Sequence, residues 1–253
     1  EAAIARLRAA AAAAAAMPLS ISIYCYEYGN AYWGQWGPTS EGGMGGSEEA
    51  VLYLSQQLAL MGHYVVVYAD PPDRDRAQST PEGVVWRHHS QFDQEQGVDV
   101  FISWRYGLSM QLGNTSKRRY LWLQDLVGKE SLPPPGTVAI ENILVLGEFH
   151  QQDVSRSLQA VGWSAAKASS LPYIMPNAAV DARILPFMEG SNDGLQFVYG
   201  SSPIRGLEQI LTVWPSIRQA LSETETGRGA QGATLSVYYG FPPKVAEQLR
   251  RSM

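Results

Sequence analysis

The run Gly42-Gly43-Met44-Gly45-Gly46-Ser47-Glu48-Glu49-Ala50 leads straight into an amphipathic stretch, and it constrains the chain more than any other feature. Four glycines in five residues leave the backbone free to approach a ligand closely. Ser47 reads as a helix N-cap, and Glu48 and Glu49 suit a first helical turn. Val51, Leu54, Leu58 and Met61 then recur at helical spacing, and Gly62 closes the helix. The apolar run from His63 to Asp70 reads as a buried parallel strand, and Leu19 to Tyr26 reads as another just upstream. The unit is strand, glycine-rich loop, helix, strand. A helix N-terminus behind glycines attracts anions, so phosphate is the first ligand to consider. The plainer reading is a glycine-rich surface loop with a capped helix behind it.

The chain has 253 residues, enough for one large domain or up to two smaller ones. Hydrophobic residues make up 45% and charged residues 17%, which allows a sizeable core. The formal net charge of −5 and the lack of a long basic run argue against a nucleic-acid partner. Apolar segments are strand-length, so no transmembrane span is expected. Cys25 is the single cysteine, which excludes an internal disulfide; inside the first strand it reads as a small buried hydrophobe. That usage fits the cytoplasm or another reducing compartment. Residues 1–17 form an alanine-rich segment expected to lie outside the fold. It lacks the pattern of a secretory signal, and a start at Glu1 suggests a piece of a longer polypeptide or a segment of unassigned side chains.

Strand-like runs alternate with helix-like ones: Val84–His88, Val98–Trp104, Arg119–Leu123 and Ile143–Leu146, then a helix over Phe149–Val161 and a strand over Leu171–Met175. The alternation predicts an α/β fold with a mainly parallel sheet. Pro, Gly, Ser, Asn and Asp cluster near Pro186 to Gly194, which places a boundary between an N-terminal domain over 18–188 and a second one over 189–253. The second opens with a strand at Leu195–Gly200, a helix at Arg205–Leu221 that Pro215 should kink or restart, and a strand at Leu235–Tyr239. Two strands are too few for a doubly wound sheet, so this part reads as an incomplete Rossmann-like domain.

Several site chemistries fail on spacing. The glycine loop gives only the first part of G-x-G-x-x-G, because Glu48 stands at the third glycine, although Asp70 occupies the place of a ribose-binding acid. No Walker lysine and no G-x-S-x-G elbow occur. His88 and His89 are adjacent on an expected strand and so point to opposite faces; no metal site is expected. The aromatic segment from Tyr24 through Tyr26, Tyr28, Tyr32 and Trp33 to Trp36 could stack on sugar rings or pack as core. Arg205, behind Gly200-Ser201-Ser202-Pro203, opens the second helix with a cation beside backbone N–H groups, suited to a diphosphate. Two similar units thus each carry an anion-ready loop at a strand end.

Together these residues resemble GT-B glycosyltransferases of the family 4 type, from about Leu19 to Phe241. The resemblance is carried by the Gly42–Ala50 run with Gly62-His63, by Ile102-Ser103-Trp104-Arg105, by Leu121-Trp122-Leu123-Gln124-Asp125-Leu126 and by Leu144 to His150. Ile174-Met175-Pro176-Asn177 with Asp181 is similar to the family's "PNGVD" link. Tyr199 to Leu207, Trp214 to Arg218 and Val237 to Phe241 are similar to the start of its C-terminal domain.

The resemblance implies two Rossmann-like domains across a cleft and transfer of a sugar, with retention, from a nucleotide-sugar donor to a glycan or protein acceptor. It implies no metal and no cofactor beyond the donor. Gly43, Gly45, Gly46, Ser202 and Arg205 would meet the donor phosphates, and Gln124 and Asp125 would occupy the catalytic "HD" position. Four departures stand out. Gln124 replaces the histidine and cannot carry a proton. Ser201 stands where a second basic residue is common. The link reads Asn177-Ala178-Ala179-Val180-Asp181, and the chain stops before the family's C-terminal acidic motif. These departures leave an alternative, a catalytically inactive transferase-derived structural or interaction subunit of a larger assembly. A dinucleotide-dependent oxidoreductase is a third reading.

Overall fold

The glycine run ends in a helix whose start differs from the expectation. The computed structural model describes residues 17–25, 35–39, 45–73, 77–128, 132–177, 196–200, 206–222 and 233–237. Helix α1 spans Gly46–Leu60, and its N-cap is Gly45 rather than Ser47. Gly45 is extended (φ −69°, ψ 155°), and its carbonyl accepts from the Glu49 N–H at 2.9 Å. Ser47 lies two residues past the cap position, and its hydroxyl turns to side chains instead. The other end follows the sequence reading. Gly62 adopts φ 92°, its N–H reaches the Ala59 carbonyl, and the His63 N–H reaches that of Leu58. This pair of bonds is the closure a left-handed residue gives a helix.

The chain divides into two units, Glu1–Val180 and Asp181–Met253. Among the described residues the first holds eight strands: β1 Ser20–Tyr24, β2 Tyr64–Ala69, β3 Gln78–Ser79, β4 Val85–His88, β5 Val100–Trp104, β6 Arg118–Trp122, β7 Asn142–Val145 and β8 Pro172–Ile174. They form one sheet in the order β3-β4-β2-β1-β5-β6-β7-β8, parallel throughout except for β3 against β4. Seven of the eight lie where the apolar runs predict them. The chain moves outward from β1 to β2 and β4, then returns to β5 on the other side of β1. The strand order therefore reverses between β1 and β5, and in such sheets ligands bind outside the carboxyl ends at that reversal.

Register explains how both faces are buried. Ile21, Ile23, Val65, Val67, Trp86, Ile102, Trp104 and Trp122 point to one face, where they pack with Val51 of α1 and with Trp36. Tyr24, Tyr68 and Phe101 point to the other, beneath Phe92 and Leu112. Leu121 pairs with Ser103, so it shares that second face. Around Leu121 the cluster continues through Ile143 and Val145 into Val154 and Leu158 of α2, Glu148–Ala160, and Ala168 of α3, Ala165–Ser170. Burial on both sides is why the central strands β2 and β5 read as largely apolar runs. The crossover from β5 to β6 is made by a 3-10 segment, Gly107–Gly113, instead of an α-helix. At the amino ends, Asp99 accepts from the Ser20 N–H and hydroxyl and from Lys117, tying β1 to β5. These donors hold its carboxyl well below the usual carboxylate range.

The second unit contains β9 Gln196–Tyr199 and β10 Thr234–Val237, paired in parallel, with α4 Leu207–Ser222 between them in sequence. Phe197 meets Trp214 edge to face at 5.2 Å. The sequence reading has Pro215 kinking or restarting this helix; α4 runs through it as one element. No helix among the described residues is long and apolar enough to cross a membrane.

Candidate functional site

Arg105 is the one described non-glycine residue with positive φ, at 64°. It follows directly on β5, at the strand reversal. The Tyr106 N–H bonds back to the Trp104 carbonyl at 2.8 Å, closing a three-residue turn around Arg105. A turn of this hand is rare and strained for a bulky residue, costing about 1–3 kcal/mol. Three bonds hold it. The Arg105 N–H donates to the Trp122 carbonyl at 2.7 Å, extending the β5–β6 ladder, and the Ser103 hydroxyl donates to the Tyr106 carbonyl at 2.7 Å. The third is the turn bond itself.

The turn aims the guanidinium inward. Arg105 Nη2 pairs with the carboxylate of Asp125, while Nη1 donates to Ser47 Oγ at 2.8 Å and lies 3.9 Å from Glu48 Oε1. The Ser47 hydroxyl also donates to Glu48 Oε2 at 2.8 Å. The cation lies over the Trp104 ring, 5.0 Å from its centroid. Arg105 and Glu48 are 12% and 6% exposed at the side chain and Asp125 35%, so one buried cation is shared by two carboxylates from separate elements. Glu48 sits in the first turn of α1, where the helix dipole favours negative charge.

Beside this cluster, Gln124 and Asn177 face each other across the ends of β6 and β8. The Asn177 amide donates to Gln124 Oε1 at 2.8 Å, and Gln124 donates back at 3.4 Å. Each amide then retains an unused donor and acceptor position.

The structure brings Gly45, Gly46, Gln124 and Asp125 to this carboxyl rim of the first unit. Gly43, Ser201, Ser202, Arg205 and Asp181 lie outside the described residues. The sequence reading gives neither Arg105 nor Glu48 a site role, although Arg105 ends one of the segments that carry the resemblance. An acidic first turn is visible there for Glu48, but a strained turn at an arginine leaves no local signal.

Other candidates are absorbed by packing. Asp70 is 1% exposed and its carboxylate meets His88 Nε2 at 3.1 Å, so the candidate ribose-binding acid is already paired inside the protein. His88 Nδ1 lies 2.7 Å from the Ser90 hydroxyl. His88 and His89 do not point apart as expected: the strand ends at His88, a 3-10 turn begins at His89, and the rings stack 4.2 Å apart. Tyr24 and Trp36 are core, with Trp36 against Trp86 and Trp104 at 5.7 and 5.5 Å. Tyr26, Tyr28, Tyr32 and Trp33 lie outside the described residues. Cys25 is fully buried at the end of β1; burial pushes its thiol well up, and the charge of Glu48 adds to the effect. Burial lowers the pKa of His150, with Asp153 opposing, and its Nδ1 accepts from the Leu146 N–H at 3.3 Å. Among the described residues no group of three or more His, Cys, Asp or Glu could hold a metal ion.

No protein-family model matches the chain, and a search of curated proteins gives no match. Among solved structures, it is similar to the catalytic domain of starch synthase IV from Arabidopsis thaliana bound to ADP and acarbose. The likeness covers 90% of this chain and 76% of that one, with 10% identity and a TM-score of 0.49.

Proposed function

We propose that the chain is a GT-B glycosyltransferase-like protein that moves a sugar, with retention, from a nucleotide-sugar donor to a hydroxyl-bearing acceptor. One observation carries this reading. The start of the glycine-led helix α1 and Asp125 meet on Arg105 at the strand reversal of a parallel sheet, where an α/β fold binds its ligands, and Gln124 lies beside them at the end of β6. In this reading Gly43, Gly45, Gly46, Ser202 and Arg205 hold the donor phosphates, where leaving-group charge develops and N–H groups with a cation stabilise it. Gln124 hydrogen-bonds a sugar hydroxyl, and Asp125 lies beside the reacting centre. The donor is a substrate, and the reaction needs no further cofactor.

The test is incubation of the full protein with UDP-glucose, ADP-glucose and GDP-mannose. Calorimetry reads binding, and coupled detection reads release of the nucleoside diphosphate. Binding of at least one donor supports the reading; no binding and no release with any of them contradicts it. A second reading, a transferase-derived subunit that no longer catalyses, is favoured by Gln124, whose amide is engaged by Asn177 and carries no transferable proton. Donor turnover by the unaltered protein rules that second reading out.

A further inference from the structure

We infer that Arg105 is a positioning residue that sets the charge of the site: it holds Asp125 in place and cancels Glu48, so that an anionic ligand can approach the start of α1. The inference rests on the nucleotide-sugar reading above. Its ground is the pairing geometry. The guanidinium meets Asp125 from the end of β6, and Ser47 and Glu48 from the first turn of α1. Without it, two carboxylates would face a diphosphate at the carboxyl rim, one of them nearly buried. In that poorly solvated setting, one uncancelled charge within a few ångströms of the ligand weakens anion binding by about tenfold or more. The protein keeps a strained backbone at Arg105 to place this cation, and such strain persists only where the surroundings impose it.

Lysine cannot substitute fully. A single ammonium cannot hold Asp125 with one nitrogen while donating to Ser47 with another in the fixed fork of a guanidinium. The positioning role is carried by one N–H of each terminal nitrogen, Nη2 to Asp125 and Nη1 to Ser47, both spent on the protein's own groups.

The experiment uses the full chain and four forms: unaltered, Arg105→Lys, Arg105→Gln, and Arg105→Gln with Glu48→Gln. Each is titrated with UDP, ADP and GDP by calorimetry, and each is melted. Expected results are a tenfold or greater loss of nucleotide affinity in Arg105→Gln and an intermediate loss in Arg105→Lys. The double variant, with Glu48 neutralised but Asp125 still unheld, should recover part of the loss, to an affinity clearly above that of Arg105→Gln. The melting temperature should fall in Arg105→Gln and rise again in the double variant. Affinity unchanged in Arg105→Gln, or a double variant as weak as the single one, overturns the inference while nucleotide binding stands. If the unaltered protein binds none of the three, the nucleotide-sugar reading fails and the ligand part of the inference fails with it. In that case, recovery of the melting temperature in the double variant still supports charge cancellation, and its absence overturns that too.

Discussion

Replacing Gly113 with alanine should destabilise the first unit by about 3 kcal/mol, the upper end of what overpacking a core costs. Gly113 closes the 3-10 segment that crosses from β5 to β6. A Cβ built there would lie 2.3 Å from Phe101 Cδ1, 2.5 Å from Cγ and 2.9 Å from Cε1. Carbon atoms in contact sit at about 3.5–4.0 Å, so the overlap exceeds 1 Å. Phe101 has no room to yield. It is fully buried, with Phe92 at 5.5 Å and Tyr24 at 6.3 Å between ring centroids. Either the ring leaves its rotamer or β5 shifts. For a chain of this length 3 kcal/mol corresponds to a fall of roughly 6–12 °C in melting temperature. Circular dichroism during heating reads it directly, and urea titration checks that the slope is unchanged. Shortening the ring in Gly113→Ala with Phe101→Leu should regain part of the loss. Because Phe101 and Arg105 share one short strand and its turn, the single variant should also weaken ligand binding. A melting temperature within about 1 °C of the unaltered protein would refute the packing argument.

Further expectations rest on single residues. Trp36→Ala should cost about 3–5 kcal/mol, because the ring packs between Trp86 and Trp104; an unchanged melting temperature would place it at the surface instead. Cys25 should resist a thiol reagent in the native protein and react promptly in denaturant, since burial and Glu48 both suppress the thiolate; stoichiometric native labelling would contradict this. His150 has a pKa lowered by burial, so the unfolded chain takes up a proton near pH 6.5 before the folded one does. Stability from this group is therefore present above that pH and is lost as pH falls below it. The melting temperature should drop more steeply from pH 7 to pH 5 in the unaltered protein than in His150→Gln, and equal slopes would contradict the account.

Much of the sheet is legible in the sequence because strands buried on both faces leave unbroken apolar runs. β2 and β5 are plain for that reason, and α1 is plain from its spacing and from Gly62. What escapes has a physical cause in each case. β3 is two residues long and pairs antiparallel at the edge, so no periodicity marks it. α3 is a single capped turn and a half, with Ser164 as its cap and small residues that match no period. Ser47 looks like a cap, but its hydroxyl is drawn to Glu48 and Arg105, a choice made by a residue 58 positions away. The strained turn at Arg105 is dictated by the β5–β6 ladder and by ion pairs across three elements, none of which is local. Asp70 illustrates the reverse. Its place at a strand end suggests a ligand, while its partner His88 comes from a neighbouring strand that only the register reveals.

The most direct test is amide-resonance mapping of the full chain during titration with UDP-glucose, ADP-glucose and GDP-mannose. The account predicts that at least one donor shifts Gly45, Gly46, Ser47, Arg105, Gln124 and Asp125 together, at the carboxyl ends beside β1 and β5. Shifts confined to other parts of the sheet, or none with any donor, would contradict it.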